Sequence, residues 1–148
     1  MKVLIQRVSS ASVTVDSEVI GAIDHGYLVL LGVGPEDDKA TVERLVKKMI
    51  ALRIFADENG KTNRSIKDVA GSLLIVSQFT LYADCRHGNR PSFTGSAPAA
   101  LAEELYEYFI ECCKKEIPHV EHGSFGADMK VALVNDGPFT VILDEKIL

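Results

Sequence analysis

Tryptophan is absent from the 148 residues and cysteine occurs only three times. An odd number of cysteines does not make a disulfide framework. Cys112 and Cys113 are adjacent, so they cannot form a Cys-x-x-Cys redox or metal pair. This usage implies a reducing cytoplasm. Long apolar runs are missing too: the best, Tyr27 to Val33, is too short to span a bilayer, so no membrane partner is expected. The stretch Met1-Lys2-Val3-Leu4-Ile5-Gln6-Arg7 lacks the apolar region and small-residue cleavage site of a secretory signal. Positive charge is in short supply, with 16 Lys and Arg against 21 Asp and Glu and a net charge of −5. That excludes the broad basic face of a general nucleic-acid binder and leaves room only for a local patch. There is no P-loop and no Gly-x-Gly-x-x-Gly, the usual machinery of nucleotide hydrolysis and hydride transfer. A Gly-x-Ser-x-Gly nucleophile elbow is also missing. Of the histidines, only His119 and His122 are close, and three apart on a strand they would face opposite sides. No metal and no other cofactor is expected.

What is present reads as one domain with one core, 47% hydrophobic and 25% charged. Lys2 to Ser9 alternates as a strand, and Ser12 to Asp16 and Val19 to Ile23 flank a turn at Asp16-Ser17-Glu18. Tyr27 to Val33 reads as a strand buried on both faces. Val42, Leu45, Val46, Met49 and Ile50 recur at helical spacing, which predicts a helix over 38–52 capped by Asp37 or Asp38. Arg53 to Ala56 reads as a short strand before a polar turn at Asp57 to Lys61. Leu73 to Tyr82 is a second apolar strand, followed by a loop over Ala83 to Gly95. Ser96 and Pro98 mark the start of a second helix with Leu101, Leu105, Tyr108, Phe109 and Cys112 on its buried face. Val120 to Phe125, Met129 to Val134 and Phe139 to Asp144 supply the last strands. Strands dominate without regular strand–helix alternation, which predicts an α+β fold. Its sheet is largely antiparallel and curved or barrel-like, with two main helices.

Three stretches could carry chemistry. In Ser77-Gln78-Phe79-Thr80-Leu81, hydroxyl and amide groups interrupt an otherwise apolar strand, placing Gln78, Thr80 and Tyr82 on one face. Such groups belong either to a satisfied structural network or to a pocket lining. The loop Arg86-His87-Gly88-Asn89-Arg90-Pro91-Ser92-Phe93 is the best local basic patch, able to grip a phosphate and stack a base, or simply a solvated loop. Asn135-Asp136-Gly137-Pro138-Phe139-Thr140 sits between two strand-like runs, where Asp-Gly is a hairpin signal. Proline is unusual there because it cannot donate to a ladder. Base rates favour a trans bond, cis being about 5–6% of X-Pro bonds.

Taken together, Ser77 to Leu81, Asn89 to Phe93, Asn135 to Thr140 and Gln6-Arg7-Val8 resemble the motifs of the D-aminoacyl-tRNA deacylases. The similarity runs over essentially the whole chain, in order and at family spacing. The resemblance implies a homodimer in which Gly137-Pro138 is cis and reaches into the partner's pocket. There its carbonyls exclude an L side chain and admit a D-residue or glycine. Arg7 and Met129 match positions that support that dipeptide. The implied substrate is a D-aminoacyl, or glycyl, ester on the 3′-terminal adenosine of tRNA.

Two mechanisms are open from side-chain chemistry. Thr80 could be a nucleophile, but no base is identifiable beside it. Alternatively, backbone N–H groups around Gln78 and Phe79 hold the oxyanion and the substrate's 2′-hydroxyl moves the proton, with Ser77 and Thr80 positioning substrate and water. The second scheme suits an ester that is already activated. A competing class is a non-catalytic module that holds an RNA end or a small ligand.

Overall fold

The computed structural model describes all of residues 1–148. Two long strands, β1 (Lys2–Val15) and β8 (Lys130–Asp144), run antiparallel along most of their length. The other edge of β1 is shared. Its first half pairs with β3 (Gly26–Gly32) and its second half with β2 (Glu18–Ile23), both antiparallel. The expected strands at 2–9 and 12–16 are therefore one continuous strand, with β2 and β3 set end to end against it. Asp16 and Ser17 both adopt positive φ, the reversal that matches the natural twist of paired strands.

β3 pairs in parallel with β6 (Ser72–Ser77), and β6 in parallel with β7 (Val120–His122). Parallel neighbours need crossovers. α1 (Lys39–Ala51) and a small hairpin of β4 (Phe55–Ala56) and β5 (Thr62–Arg64) make the first; α2 (Ala99–Lys114) makes the second. The architecture is the expected one: α+β, mostly antiparallel, curved, with two helices. Gly21 of β2 shows how nearly the sheet closes, since a Cβ there would lie 3.0 Å from the His122 carbonyl of β7.

Both faces of the sheet are packed. Tyr27, Val29 and Leu31 face the helices, while Leu28 joins Val8, Val13, Leu74 and Val76 on the inner face. The run Tyr27 to Val33 is apolar because it has no wet side. Asp38 caps α1 by accepting from the Thr41 N–H at 2.8 Å, and Val42, Leu45, Val46, Met49 and Ile50 form its buried stripe.

α2 starts at Ala99 with no side-chain cap; the Ser96 hydroxyl instead donates to the Phe93 carbonyl. Its buried face is Leu105, Tyr106, Phe109, Ile110 and Cys113, rotated from the expected one, so that Leu101, Tyr108 and Cys112 are only partly buried. Tyr106 can go inside because its hydroxyl donates to the Ile75 carbonyl at 2.9 Å, while the Tyr108 hydroxyl reaches the Glu43 carboxylate outside. Phe109 is fully buried, and a phenylalanine in such a place is worth about 3–5 kcal/mol over alanine.

Two strands are shorter than their sequence suggests. The last ladder residue of β7 is His122, not Phe125. β6 ends at Ser77, and Phe79–Tyr82 coils into a single 310 turn. Gln78, Thr80 and Tyr82 therefore do not share a strand face. The turn is drawn onto β3 and the start of β1: the Gln78 N–H donates to the Leu31 carbonyl at 2.8 Å and Lys2 Nζ to the Leu81 carbonyl. Gly32 permits the close approach, as a Cβ there would sit 3.1 Å from Leu81 Cβ and 3.2 Å from the Gln78 carbonyl.

Asn135 to Thr140 is not a hairpin turn. Gln6 pairs with Thr140 and Val8 with Asn135, so residues 136–139 of β8 bulge opposite the single residue Arg7. β1 lies alongside on both flanks of the Asp-Gly signal, so the chain steps out of the ladder and back instead of reversing.

Candidate active site

A cavity of about 460 Å³ opens at the carboxyl ends of the parallel strands β3 and β6. Ligands of parallel sheets commonly sit at that end. Ser77, Gln78 and Phe79 line it from the end of β6, Leu31 and Val33 from β3, and Ala97, Ala99 and Ala102 from the start of α2. The loop between β7 and β8 closes it with Phe125 to Met129. Met129 is seated against Gly123, where a Cβ would lie 2.6 Å from its sulfur. The floor is apolar; the polar side chains in the lining are Ser77, Gln78, Ser96 and Asp128. Of the β7–β8 loop only Met129 was singled out from sequence, and the alanines were not. The small-residue run Ala97-Pro98-Ala99-Ala100 was the available signal, since only short side chains leave such a space beside a helix.

Thr80 is exposed on the 310 turn just outside this lining. Its hydroxyl oxygen accepts from the Gln78 side-chain amide, and no histidine, lysine or carboxylate hydrogen-bonds to it. The Gln78 N–H is spent on Leu31, so it is not free for an oxyanion. The N–H groups of Phe79 and Thr80 open the turn and have no partner within it.

Gly137 and Pro138 do not line this cavity. They stand exposed on the bulge of β8, their peptide bond cis and Gly137 at φ 137°. Arg7 braces the bulge from behind. Its Nε donates to the Asp136 carbonyl at 3.0 Å and its Nη1 to the Ile54 carbonyl at 2.6 Å, and its guanidinium lies 4.8 Å from the Phe139 ring. On the other side, Asn135 accepts from the Phe139 N–H and donates to the Thr140 hydroxyl. The structure thus gathers Ser77, Gln78, Phe79 and Met129 in one place and Arg7, Gly137 and Pro138 in another.

Arg90 lies on the exposed loop 85–91, which is stitched at its base by backbone bonds between Asp84 and Ser92 (2.7 and 2.9 Å). Arg86 is held by Asp84, and its hydrogen bonds lower that carboxyl to about 2. Arg90 makes no ion pair. Just past the loop, Phe93 packs edge-on against Phe79, with centroids 5.1 Å apart. One further polar row exists: Ser72 Oγ lies 3.0 Å from His119 Nδ1, and His119 Nε2 3.3 Å from Glu121. It is solvent-exposed and none of its members lines the cavity.

The cavity rim thus offers hydroxyl, amide and backbone N–H groups. The family model for D-Tyr-tRNA(Tyr) deacylase matches residues 4–144. A D-aminoacyl-tRNA deacylase of Thermosipho africanus (strain TCF52B) is 56% identical, covering 99% of this chain and 98% of its own. The solved structure of a c-Myc DNA unwinding element binding protein superposes with a TM-score of 0.92 at 43% identity, covering 97% of this chain and 98% of that one. A structure described as a probable eukaryotic D-amino acid tRNA deacylase shares the fold at a TM-score of 0.83 and 15% identity, covering 96% and 97%. The chain belongs to the D-Tyr-tRNA(Tyr) deacylase family. No helix is long and apolar enough to cross a membrane.

Proposed function

We propose that this protein hydrolyses the ester of D-aminoacyl-tRNA, and of tRNA mischarged with glycine, to free tRNA and the amino acid. The carrying observation is the cavity at the ends of β3 and β6, where Ser77, Gln78 and the turn amides converge and the one lining carboxylate, Asp128, is exposed and paired with Lys130. An aminoacyl ester needs little more than positioning and charge stabilisation. Water attacks the ester carbonyl, and the N–H groups of Phe79 and Thr80 receive the tetrahedral oxyanion. The 2′-hydroxyl takes a proton from the attacking water and passes its own to the departing 3′-oxygen. Ser77 and Thr80 hold substrate and water, and Arg90 meets a phosphate of the acceptor end.

The working unit is a homodimer with its site at the subunit interface. Gly137 and Pro138 lie outside their own cavity, and Val134 and Ile142, 57% and 60% exposed, flank them on the same strand. The dipeptide of one copy enters the cavity of the other, beside the partner subunit's Met129, and its carbonyls meet an L side chain head-on. The cysteines are free, which suits a reducing cytoplasm. A module that only binds an RNA end is the lesser reading, because the family is one of hydrolases.

Gly137→Ala tests the filter. At φ 137° an alanine is strained, and its Cβ would lie 3.0 Å from the Phe139 nitrogen and 3.2 Å from Arg7 Nη2. The bulge must move, so the variant should fold normally and either accept L-aminoacyl-tRNA or lose hydrolysis of D-aminoacyl-tRNA by tenfold or more. Full activity with full D-selectivity would refute the assignment, and binding of charged tRNA without release of amino acid by the wild type would select the module.

A further inference from the structure

We propose that the ring of Phe79 is a stacking platform for the nucleobase immediately 5′ of the aminoacylated nucleotide. The inference rests on the deacylase reading and extends it along the tRNA chain.

Phe79 is the only aromatic ring among the large apolar side chains left exposed; the others are aliphatic and lie on β2, on β8 or at the C-terminal end. It is 54% exposed although it follows directly on Gln78 at the cavity. The ring is not loose. Phe93 holds it edge-on, at 5.1 Å and 74°. Phe93 is itself half-buried and anchored, since its carbonyl accepts both the Ser96 N–H and the Ser96 hydroxyl. The Asp84–Ser92 pairing fixes the segment from its other side. A flat hydrocarbon surface is therefore kept in water and in place at the cavity rim.

The cavity has the volume of a small-molecule site and an apolar floor, which suits the esterified amino acid and its own nucleoside. The polynucleotide chain leaving it meets the rim where Phe79 stands. Loop 85–91, springing from the same Phe93, carries Arg90 free of any carboxylate. An exposed ring, with an unpaired guanidinium on the loop tethered to it through Phe93, is the combination that takes one base and its phosphate on a single strand. An aliphatic patch, such as Val134 with Ile142, suits a protein surface better.

The test compares D-tyrosyl-tRNA with D-tyrosyl-adenosine, which lacks the preceding nucleotide. Phe79→Ala should raise KM for the tRNA at least about tenfold more than for the adenosine ester, as expected for one lost base stack. Phe79→Trp should keep the wild-type ratio of the two KM values, and Phe79→Leu should behave like alanine. Equal effects of Phe79→Ala on both substrates, or a leucine as good as tryptophan, would overturn the stacking role. So would a fall in dimer content by sedimentation. If the wild type releases amino acid from neither substrate, the deacylase reading fails and this inference with it. If it releases from both and Phe79→Ala leaves the ratio unchanged, only the stacking inference fails.

Discussion

At Thr80 the hydroxyl oxygen is occupied by the Gln78 amide, and no base hydrogen-bonds to it. A nucleophilic threonine needs such a base. Thr80→Ala should therefore lower single-turnover deacylation by up to about tenfold, the worth of one positioning hydrogen bond. A loss of several orders of magnitude would return Thr80 to the role of nucleophile. The sequence made Ser77, Gln78 and Thr80 conspicuous because polar groups interrupt an apolar run. It did not reveal how they are arranged, because strand and 310 turn look alike over so few residues. The engagement of the Gln78 N–H with Leu31 was invisible for another reason: backbone partners leave no mark on residue identity. Arg7 is the converse case. One arginine on an alternating strand gave no hint of its own, yet it bonds two carbonyls distant in sequence, those of Ile54 and Asp136.

Among the elements, α1 was the most legible, since its apolar stripe and its Asp38 cap are both local signals. The cap also fixes a pH dependence. The Asp38 carboxyl is held below its usual range, first by the Thr41 N–H and then by the Thr41 hydroxyl. Unfolded, it titrates at its ordinary value. The cap thus contributes fully above that value, and the contribution is lost as pH falls through the depressed folded one. Asp38→Asn keeps a capping side chain without the charge. Melts from about pH 2 to about pH 5 should show a shallower fall in Tm for the variant than for the wild type; identical slopes would remove the carboxylate from the account. α2 was less legible because two overlapping stripes compete, and the choice rests on a hydrogen bond from Tyr106 to Ile75 that only the packed sheet offers. The bulge of β8 was misread as a hairpin. Asp-Gly specifies a change of direction but not whether the chain completes the reversal, which depended here on a strand from the opposite end of the sequence.

On the scale of the whole molecule, curvature and class follow from many short strands with few helices, and both were readable. The parallel pairs β3–β6 and β6–β7 were not, because a small hairpin and a long loop break the alternation that announces crossovers. The separation of cavity and dipeptide was legible only through the family resemblance, not from the residues themselves. On the proposed homodimer, placing a charge on the exposed face of β8, by Val134→Asp or Ile142→Asp, should shift the protein to monomer in sedimentation and abolish D-aminoacyl-tRNA hydrolysis together. A fully active monomer would place the whole site within one chain.

The pairing of β1 with β8 also orders events during synthesis. β1 finds β2 and β3 soon after it leaves the ribosome, but its other edge waits for residues 130–144, more than a hundred positions further along the chain. Until then a fourteen-residue ladder of unpaired N–H and carbonyl groups is open to any other nascent strand. Closing so long a loop is slow compared with local folding. Chaperone capture over that interval should therefore raise the yield of native protein, although the finished sheet covers most of the same edge.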